Sequence, residues 1–409
     1  MRRFVAACFG LAILLSACGD SSLDPVVQHV SMKVSDSSTV FGVSLLDHLL
    51  AEPGAGNVLV SPLSAELVLA IAASAAHGET RFAMMTTLGL DPSTDPSAEL
   101  SATISRLVQS DGNVQLELAQ AVWVQSGLLL DPSYVKKLRS EYRAQLANVD
   151  FQSPEAPRIV DRWVDSATHH NISELADHFD PSTVGDIVNA TYFYSLWRTE
   201  FGSSDPGVFH TFGGLNPTVP MMRRTEDVTQ LTTHDYVAAL LPYRGGRFSA
   251  LVLLPRKMLS PHDFSRFLTR GAWEQAVGYL HGATGSSLGG SCKRPDAAPA
   301  PDVGVDCEGT LVLPKFKLDY QKDMTDTLHA MGMPVPAPVP AFCSKCVLTQ
   351  VVQKTYLEVD EKGTTAAAAS GGNVATAAHI PVVVDHPFAF ALIDNATDAP
   401  LFLGAIGNL

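Results

Sequence analysis

The order of hydrophobic patterns along the chain constrains its fold more than any other feature. Residues 40–50 and 61–76 place apolar side chains at helical spacing, whereas residues 309–317, 355–359 and 388–393 form apolar runs of strand length. Between them lie predicted strands at 114–124 and 187–194 and predicted helices at 132–146 and 159–176. Because helices dominate early and strands late, without regular alternation, the sequence predicts an α+β fold.

The first residues have the zones of a bacterial secretion signal. Arg2 and Arg3 give a positive start, residues 4–15 are apolar, and Leu15-Ser16-Ala17-Cys18 follows. The apolar run is shorter than the roughly 20 residues that a transmembrane helix needs. Small residues before a cysteine resemble the lipoprotein box, so Cys18 is predicted to be acylated and to begin the mature chain. An ordinary secretory signal is the alternative.

These patterns divide the chain into a signal (1–17), a lipidated cysteine with a flexible polar tether (18–38) and one folded domain (39–409). A lipid is the only membrane anchor implied, since no second hydrophobic stretch approaches spanning length. Gly19 stands where an Asp would favour retention at the inner membrane. The outer membrane or the cell surface is therefore the predicted location, with secretion as the alternative.

Composition and motifs argue against several classes of function. The chain carries 42 acidic against 28 basic side chains, which disfavours nucleic acid as a partner. A glycine-rich phosphate loop, a zinc-binding helix and a nucleophile elbow are all missing, so no cofactor or metal is predicted. Ser133 and Lys136 match the S-x-x-K pattern of penicillin-recognising hydrolases, but the companion motifs of that class are absent. A solvated helix surface explains the pair better.

Four cysteines follow Cys18, and an even number in an exported protein favours disulfides. The obvious pairing joins Cys292 to Cys307, across a Pro- and Ala-rich excursion, and Cys343 to Cys346. Four cysteines allow three pairings, and the sequence does not choose between them.

Several segments resemble the serpin family, in order and at nearly the family's spacing, over about residues 39–409. They are NVLVSPLS (57–64), IVNATYFYSLW (187–197), LLPY (240–243), LPKF (313–316), HPF (386–388) and LFLG (401–404). The resemblance implies one large α+β domain with a helical cluster, three β-sheets and an exposed reactive-centre loop at about 361–381. It also implies a monomeric protease inhibitor rather than an enzyme.

The segment that would carry function precedes the C-terminal strands. It resembles the hinge of a serpin reactive-centre loop and comprises Glu361, Gly363, Thr364, Thr365, Ala366, Ala367, Ala368, Ala369 and Ser370. In the family, cleavage lets this loop insert as an extra strand into an open sheet. Alternate side chains would then face inward, beginning with Thr364 and Ala366. All are small and uncharged, as in inhibitory members, because a charge would be costly to bury.

Family spacing places the cleaved bond at Ala377–Ala378, with Thr376–Ala377 as the alternative. A small residue before the bond fits the pocket of an elastase-like or subtilisin-like serine protease, whose serine would form a covalent acyl-enzyme with the loop. The alternative class of function is a non-inhibitory serpin that acts as a binding protein or chaperone.

Two departures from the family pattern bear on this hypothesis. The family's shutter region, beneath the sheet that opens, is predicted to comprise Asn57, Ser61, Ser64, Asn189 and Gln353. Gln353 stands where the family has a histidine, and Gln can both donate and accept hydrogen bonds. Gly371 and Gly372 lie where inserting strands usually carry side chains, which would weaken the inserted strand.

The lipoprotein assignment predicts that Cys18→Ser releases the protein from membranes, because the variant lacks the acylated thiol. Membrane fractionation of cells that express either form measures this. A variant that remains in the membrane fraction in the wild-type proportion would refute the assignment.

Overall fold

A computed structural model describes residues 32–409, except for residues 110–111, 176–177, 203, 227, 285–302 and 365–380. The predicted signal, Cys18 and most of the predicted tether lie outside the described residues. Within the described part, no helix combines the length and the hydropathy that a membrane crossing requires.

Helices occupy mainly the first half of the described chain. They are α1 (Met32–Ala51), α2 (Pro62–Ala75), α3 (Gly78–Thr87), α4 (Ser97–Leu107), α5 (Pro132–Ser140), α6 (Ala156–Ala167), α7 (Pro261–Phe267), α8 (Arg270–Thr284) and α9 (Thr325–Ala330). Several have a proline in the first turn, where its missing N–H costs no helical hydrogen bond. Helix α5 is also capped by Asp131, whose side chain accepts the amides of Ser133 and Tyr134.

Strands begin early but become dense only after residue 185. They are β1 (Val58–Val60), β2 (Val114–Gln125), β3 (Gln145–Val149), β4 (Gly185–Leu196), β5 (Ser204–Val208), β6 (Thr218–Arg224), β7 (Thr229–Thr232), β8 (Tyr236–Pro242), β9 (Phe248–Pro255), β10 (Gly304–Asp306), β11 (Leu311–Pro314), β12 (Phe316–Asp323), β13 (Ala337–Pro338), β14 (Val347–Leu348), β15 (Val352–Val359), β16 (Gly363–Thr364), β17 (Val382–Val383), β18 (Phe388–Asp394) and β19 (Pro400–Ile406).

These strands form three larger sheets and one pair. The central sheet has the order β12-β15-β16-β4-β2-β3, the back sheet β1-β19-β18-β9-β8-β7-β10, and the small sheet β17-β11-β6-β5. Strands β13 and β14 form the separate pair. Helices and strands are therefore segregated along the chain, and the predicted α+β class with three sheets is confirmed.

Helix α2 lies between the central sheet and the back sheet and supplies side chains to two cores. Leu67 and Ile71 belong to the core shared by these two sheets. Leu69 and Ala72, on another face of α2, join the core that α1, α7 and α8 close over the back sheet. Helix α6 covers the outer face of β2 and β4 through a third cluster. The central sheet is thus covered by α2 on one face and, over part of β2 and β4, by α6 on the other.

One predicted helix is shorter than its pattern suggests. The sequence predicts a helix over 132–146, but α5 ends at Ser140 and residues 145–149 form β3 at the edge of the central sheet. Arg143 has a left-handed backbone with φ of 53°, which stops the helix. Strand β3 then pairs in parallel with β2, a tertiary contact that the helical spacing of 132–146 does not reveal.

The folded region also begins earlier than predicted. Residues 32–38, assigned to the tether, form the start of α1. Ser37 and Ser38 are buried, and their hydroxyls donate hydrogen bonds to the carboxyl group of Glu66 in α2. A polar pattern typical of a tether therefore conceals a buried helix contact, and the predicted boundary at residue 39 is wrong.

Glu66 is an acid buried between α1 and α2, with an exposed fraction of 0%. Removal from water disfavours the carboxylate and raises the pKa of Glu66 to about 8, although the hydrogen bonds from Ser37 and Ser38 oppose the shift. The folded chain therefore holds Glu66 mainly protonated at neutral pH.

We expect Glu66→Gln to remove a pH dependence of stability. Between the ordinary pKa of 4.5 and about 8, unfolding releases the proton from Glu66, so the free energy of unfolding falls as the pH rises. The variant does not titrate here. The free energy of unfolding of the variant should exceed that of wild type by an amount that grows from near zero at about pH 5 to a few kcal/mol at about pH 8.

Urea unfolding of both proteins at the two pH values measures the difference. Glu274→Gln is the matched control, because Glu274 forms only an exposed ion pair with Arg270 and such pairs contribute little. If the difference in the free energy of unfolding between Glu66→Gln and wild type does not change with pH, Glu66 is not held protonated in the folded chain.

Candidate functional site

Among the described residues of the central sheet, only β16 lies between β4 and β15, and this interval is here called the gap. Strand β16 pairs with both of them in antiparallel register, Thr364 lying opposite Val359 on one side and Ser195 on the other. Strands β4 and β15 therefore run parallel to each other. Among the described residues they are joined only through β16, which has two residues. The gap could accept a continuation of β16 as a full strand.

The turn before β16 is held by a dense set of hydrogen bonds. The carboxylate of Asp360 accepts the amides of Lys362 at 2.9 Å and Gly363 at 3.0 Å. The Trp197 amide donates to the Lys362 carbonyl at 2.8 Å, and its indole N–H donates to the Asp360 carbonyl at 2.9 Å. Burial raises the pKa of Asp360, although the two amides and Lys315 oppose this. The turn is thus anchored to the end of β4.

Gly363 is required by a close approach of two backbones. A Cβ atom at this position would collide with the Ser195 carbonyl oxygen and lie 2.8 Å from the Cα of Leu196. Any larger residue would therefore push β16 away from β4. Gly363 is predicted from the sequence to be a flexible hinge, and this close approach is an additional steric reason for the glycine.

Thr364 points into the protein, as the alternation predicts. Its exposed fraction is 1%, and its hydroxyl lies 2.6 Å from the hydroxyl of Tyr243. Tyr243 is itself buried and stacks on Trp197, with 4.3 Å between the ring centroids. Burial raises the pKa of Tyr243 above its ordinary value, so the phenol is protonated and can share the hydrogen bond. The remaining hinge residues, 365–370, lie outside the described residues.

Glu361 connects the turn to the small sheet. Its carboxylate lies 3.0 Å from the Lys315 ammonium group and accepts a 2.6 Å hydrogen bond from the hydroxyl of Ser204. Partial burial alone would raise the pKa of Glu361, but the contacts with Ser204 and Lys315 outweigh it and lower the pKa. Glu361 is therefore ionised, and its ion pair fixes the base of the loop.

Four of the five predicted shutter residues meet at the first turn of α2. The side chain of Gln353 accepts the Ser61 amide at 3.2 Å and donates to the Ser61 carbonyl at 2.9 Å. Asn189 accepts the hydroxyl of Ser64. The two sheet residues are thus each bonded to α2, and in the described chain no hydrogen bond joins them to each other. The Nδ2 atom of Asn189 is buried, and the described residues offer it no partner.

The fifth predicted member, Asn57, lies elsewhere. Its side-chain oxygen accepts the amides of Gly407 and Asn408, both at 2.8 Å, and its amide group donates to the Asn408 carbonyl at 2.6 Å. Asn57 therefore fastens the C-terminal residues to the chain before β1. Its assignment to the shutter cluster is wrong, because nearness in sequence to Ser61 does not bring it to the same face.

The cysteine prediction is confirmed for one pair. Cys343 and Cys346 form a disulfide, with 5.1 Å between their Cα atoms. Cys307 is also disulfide-bonded, but Cys292 lies outside the described residues. The predicted reactive-bond residues Thr376, Ala377 and Ala378 lie outside them as well.

Ser133 and Lys136, which match the S-x-x-K pattern, both lie on α5. Ser133 donates its hydroxyl to Asp131 in the capping turn of α5, and Lys136 is exposed on the same helix. Across the residues that the structure describes, no cluster of three or more metal-binding side chains occurs.

Sequence reasoning missed Trp197, Tyr243 and Lys315 as site residues. Each of them lies inside a quoted family segment, at the end of IVNATYFYSLW, in LLPY and in LPKF. The signal was therefore present, but only the fold shows that these separate segments converge on the turn before β16.

Comparison with known proteins agrees with this geometry. The family Serpin (serine protease inhibitor) matches residues 36–409. Serpin-Z7 of Hordeum vulgare is 29% identical over 90% of this chain and 95% of its own length. The native structure of tengpin, a thermophilic serpin, matches with a TM-score of 0.76 and 25% identity, covering 92% of this chain and 94% of that one. The thyroxine-binding globulin complex with thyroxine has a TM-score of 0.78 at 20% identity, covering 92% and 99%, and shows a likeness of fold alone.

We expect Tyr243→Phe to loosen β16 selectively. The variant leaves the buried hydroxyl of Thr364 without its partner, which costs about 1 to 3 kcal/mol. Hydrogen exchange at the Gly363 and Thr364 amides should therefore accelerate, and mass spectrometry of peptides that span them measures the change. Tyr142→Phe is the matched control, because it removes another buried hydroxyl, bonded to the Ala70 carbonyl. Equal acceleration in both variants would contradict a specific role for Tyr243.

Proposed function

This chain is a member of the serpin family of serine protease inhibitors, and from that premise we propose that it irreversibly inhibits an elastase-like or subtilisin-like serine protease. Members of the family form complexes with their target proteases. We also propose its mechanism, its class of target protease and the place where it acts.

One observation carries the proposal of strand insertion. Strand β16 already occupies the end of the gap between β4 and β15, with Thr364 facing inward. The residues that follow, Thr365 to Ser370, are all small and uncharged. A strand built from them would add backbone hydrogen bonds on both sides and bury no charge. These features support insertion of the loop after cleavage.

The outcome of the mechanism depends on two competing rates, that of loop insertion and that of hydrolysis of the acyl-enzyme. The serine of the target attacks a loop carbonyl and forms an acyl-enzyme, releasing the amine of the following residue. Insertion then carries the attached protease along the sheet before water hydrolyses the ester. The inhibitor supplies no catalytic group. Gly371 and Gly372 oppose insertion, because glycine loses the most entropy on ordering and packs no side chain.

The class of target follows from the residue before the cleaved bond. We place this bond at Ala377–Ala378, with Thr376–Ala377 as the alternative. A small side chain fits a shallow specificity pocket, whereas a trypsin-like pocket requires Lys or Arg.

The N-terminal motif supports the proposed location. We propose that the protein is a monomer, lipidated at Cys18 and displayed on the outer membrane or cell surface, with secretion as the alternative. Only 13 residues separate Cys18 from the start of α1 at Met32. Fully extended, such a tether reaches roughly 45 Å, so the inhibitor would act close to the membrane.

A second candidate is a non-inhibitory serpin that binds a ligand or a protein. The glycines at 371 and 372 favour it, since slow insertion would turn the loop into a substrate. The structural likeness to thyroxine-binding globulin shows that this fold also serves a protein that is named for what it binds.

The deciding experiment mixes the protein with pancreatic elastase, and in parallel with subtilisin, and analyses the products on a denaturing gel. We expect a covalent complex that survives denaturant and a released C-terminal peptide. Its intact mass would show whether it begins at Ala378 or at Ala377. Cleavage in the loop without a complex would refute inhibition and favour the second candidate. Absence of cleavage by either protease would refute the proposed class of target.

Two variants at neighbouring positions test insertion itself. Thr364→Arg should convert the inhibitor into a substrate, because the buried site of Thr364 cannot accept a charge. Thr365→Arg is the matched control, since alternation turns the next side chain outward, where a charge remains in water. The ratio of complex to cleaved product should fall about tenfold or more for the first variant only. Equal behaviour of the two variants would contradict the assigned register.

A further inference from the structure

The disulfide Cys343–Cys346 lies at the end of the gap that is farthest from β16. Strand β16 pairs with Ser195 and Leu196, the last residues of β4. Gly185, the first residue of β4, is in direct contact with Phe342, the neighbour of Cys343. About ten residues of β4 lie between the two ends, a distance of roughly 30 Å. The segment 339–346, here called the disulfide loop, therefore closes the far end.

The disulfide loop is internally bonded. The Cys346 amide donates to the Cys343 carbonyl at 3.0 Å, beside the disulfide, and the Phe342 amide donates to the Val339 carbonyl at 3.0 Å. The Val339 amide donates to the Cys346 carbonyl at 3.0 Å. The disulfide thus closes a short turn that sets the direction of Phe342.

Phe342 is the contact between this loop and the central sheet. Its exposed fraction is 5%, and its ring lies 5.6 Å from that of Tyr134. A Cβ atom on Gly185 would lie only 2.5 Å from the Phe342 ring, so the ring packs directly on the backbone of β4. The adjacent Ala341 is bonded at both backbone groups, to the Ala75 carbonyl and the Asp131 amide, both at 3.3 Å. The loop is therefore braced on α2, α5 and β4.

The same loop leads directly into β15. Five residues, 347–351, separate Cys346 from Val352, the first residue of β15. Val359 and Ser195 both lie opposite Thr364, so they are level with each other across the gap. Because β4 and β15 run parallel, counting back equally along both strands places Val352 level with Val188 of β4. The loop therefore touches one strand at the border of the gap and is covalently continuous with the other. It acts as a brace between the two strands that border the gap.

We propose that the Cys343–Cys346 disulfide is a redox-responsive latch, which restrains movement of β4 relative to β15 when oxidised and permits it when reduced by a dithiol. The proposal rests on the proposed inhibitory function for its consequence, but not for the latch itself. Cys343 is partly exposed, whereas Cys346 is buried with an exposed fraction of 8%. Cys343 is therefore the more exposed cysteine of the pair, and we take its sulfur atom as the point of attack.

The reduction is a two-electron thiol–disulfide exchange. A thiolate of the dithiol attacks the Cys343 sulfur, forms a mixed disulfide and expels the Cys346 thiolate, which takes up a proton. The second thiol of the reductant then attacks the mixed disulfide, releases Cys343 as a thiol and leaves as a cyclic disulfide. The turn loses its covalent closure, and Phe342 loses its fixed position on Gly185.

The test compares full-length wild type with the double variant Cys343→Ser/Cys346→Ser, both under oxidising conditions that retain the disulfide of Cys307. Hydrogen exchange of the amides in 185–188 should be about tenfold faster in the variant, as expected when a local constraint of a short disulfide loop is lost. Wild type reduced with dithiothreitol and alkylated should match the variant. Unchanged exchange in the variant would overturn the latch.

A second variant keeps the latch distinguishable from a general loss of stability. Phe342→Leu retains the disulfide but removes the ring that touches Gly185, so exchange in 185–188 should again accelerate. Exchange in β18 of the back sheet, remote from the loop, should stay at the wild-type rate in all three proteins. Acceleration in both sheets would overturn the proposal, because it would show global destabilisation.

The functional consequence has its own measurement. The double variant should form the covalent complex with the target protease several-fold faster than oxidised wild type. In a Thr364→Arg background inhibition is abolished, but the exchange difference between oxidised and reduced loop should persist. Suppose that the double variant and oxidised wild type form the complex at the same rate but still differ in hydrogen exchange at 185–188. This result would refute the link to inhibition, but not the latch. Loss of the exchange difference would refute the latch itself.

Discussion

The placement of β16 between β4 and β15 is the contact on which the central sheet depends. A strand of two residues forms too few ladder hydrogen bonds to hold two longer strands in register by itself. Its position comes from the turn before it, where Asp360 accepts two amides and Trp197 donates twice to the same turn. The entrance of the gap is therefore built by side chains of neighbouring elements, and beyond β16 the described residues place no strand between β4 and β15.

Helix α2 is the common support of the elements around this gap. Ser61 at its start is bonded to Gln353 of β15, and the hydroxyl of Ser64 donates a hydrogen bond to Asn189 of β4. Ala75 at its end holds the disulfide loop. A buried polar group that loses its hydrogen-bond partner costs free energy. Each of these hydrogen bonds therefore favours one position of its partner segment relative to α2. The same helix buries Glu66 against α1, so the support is itself braced by a protonated acid.

Much of the fold and part of the site could be predicted from the sequence. The order of periodicities indicated the α+β class. The sequence left three cysteine pairings open, and the structure shows the obvious one for Cys343 and Cys346. The inward direction of Thr364 followed from strand alternation together with the resemblance to a serpin hinge. The errors share one cause. The start of α1, the strand β3 and the position of Asn57 all depend on contacts with residues far away in the chain, which local patterns do not contain.

The sequence by itself determined the class of fold, the family, and the small, uncharged character of the segment after Gly363, because each of these is written in residue type and spacing. Only the tertiary structure decided that β16 already lies in the gap, that Tyr243, Trp197 and Lys315 meet around its turn, and that Phe342 packs on Gly185 at the other end. The physical reason is that several of these contacts join residues more than about 100 positions apart, with 163 positions between Trp197 and Asp360. Close packing and hydrogen bonding select such pairs only after the sheets and helices have assembled.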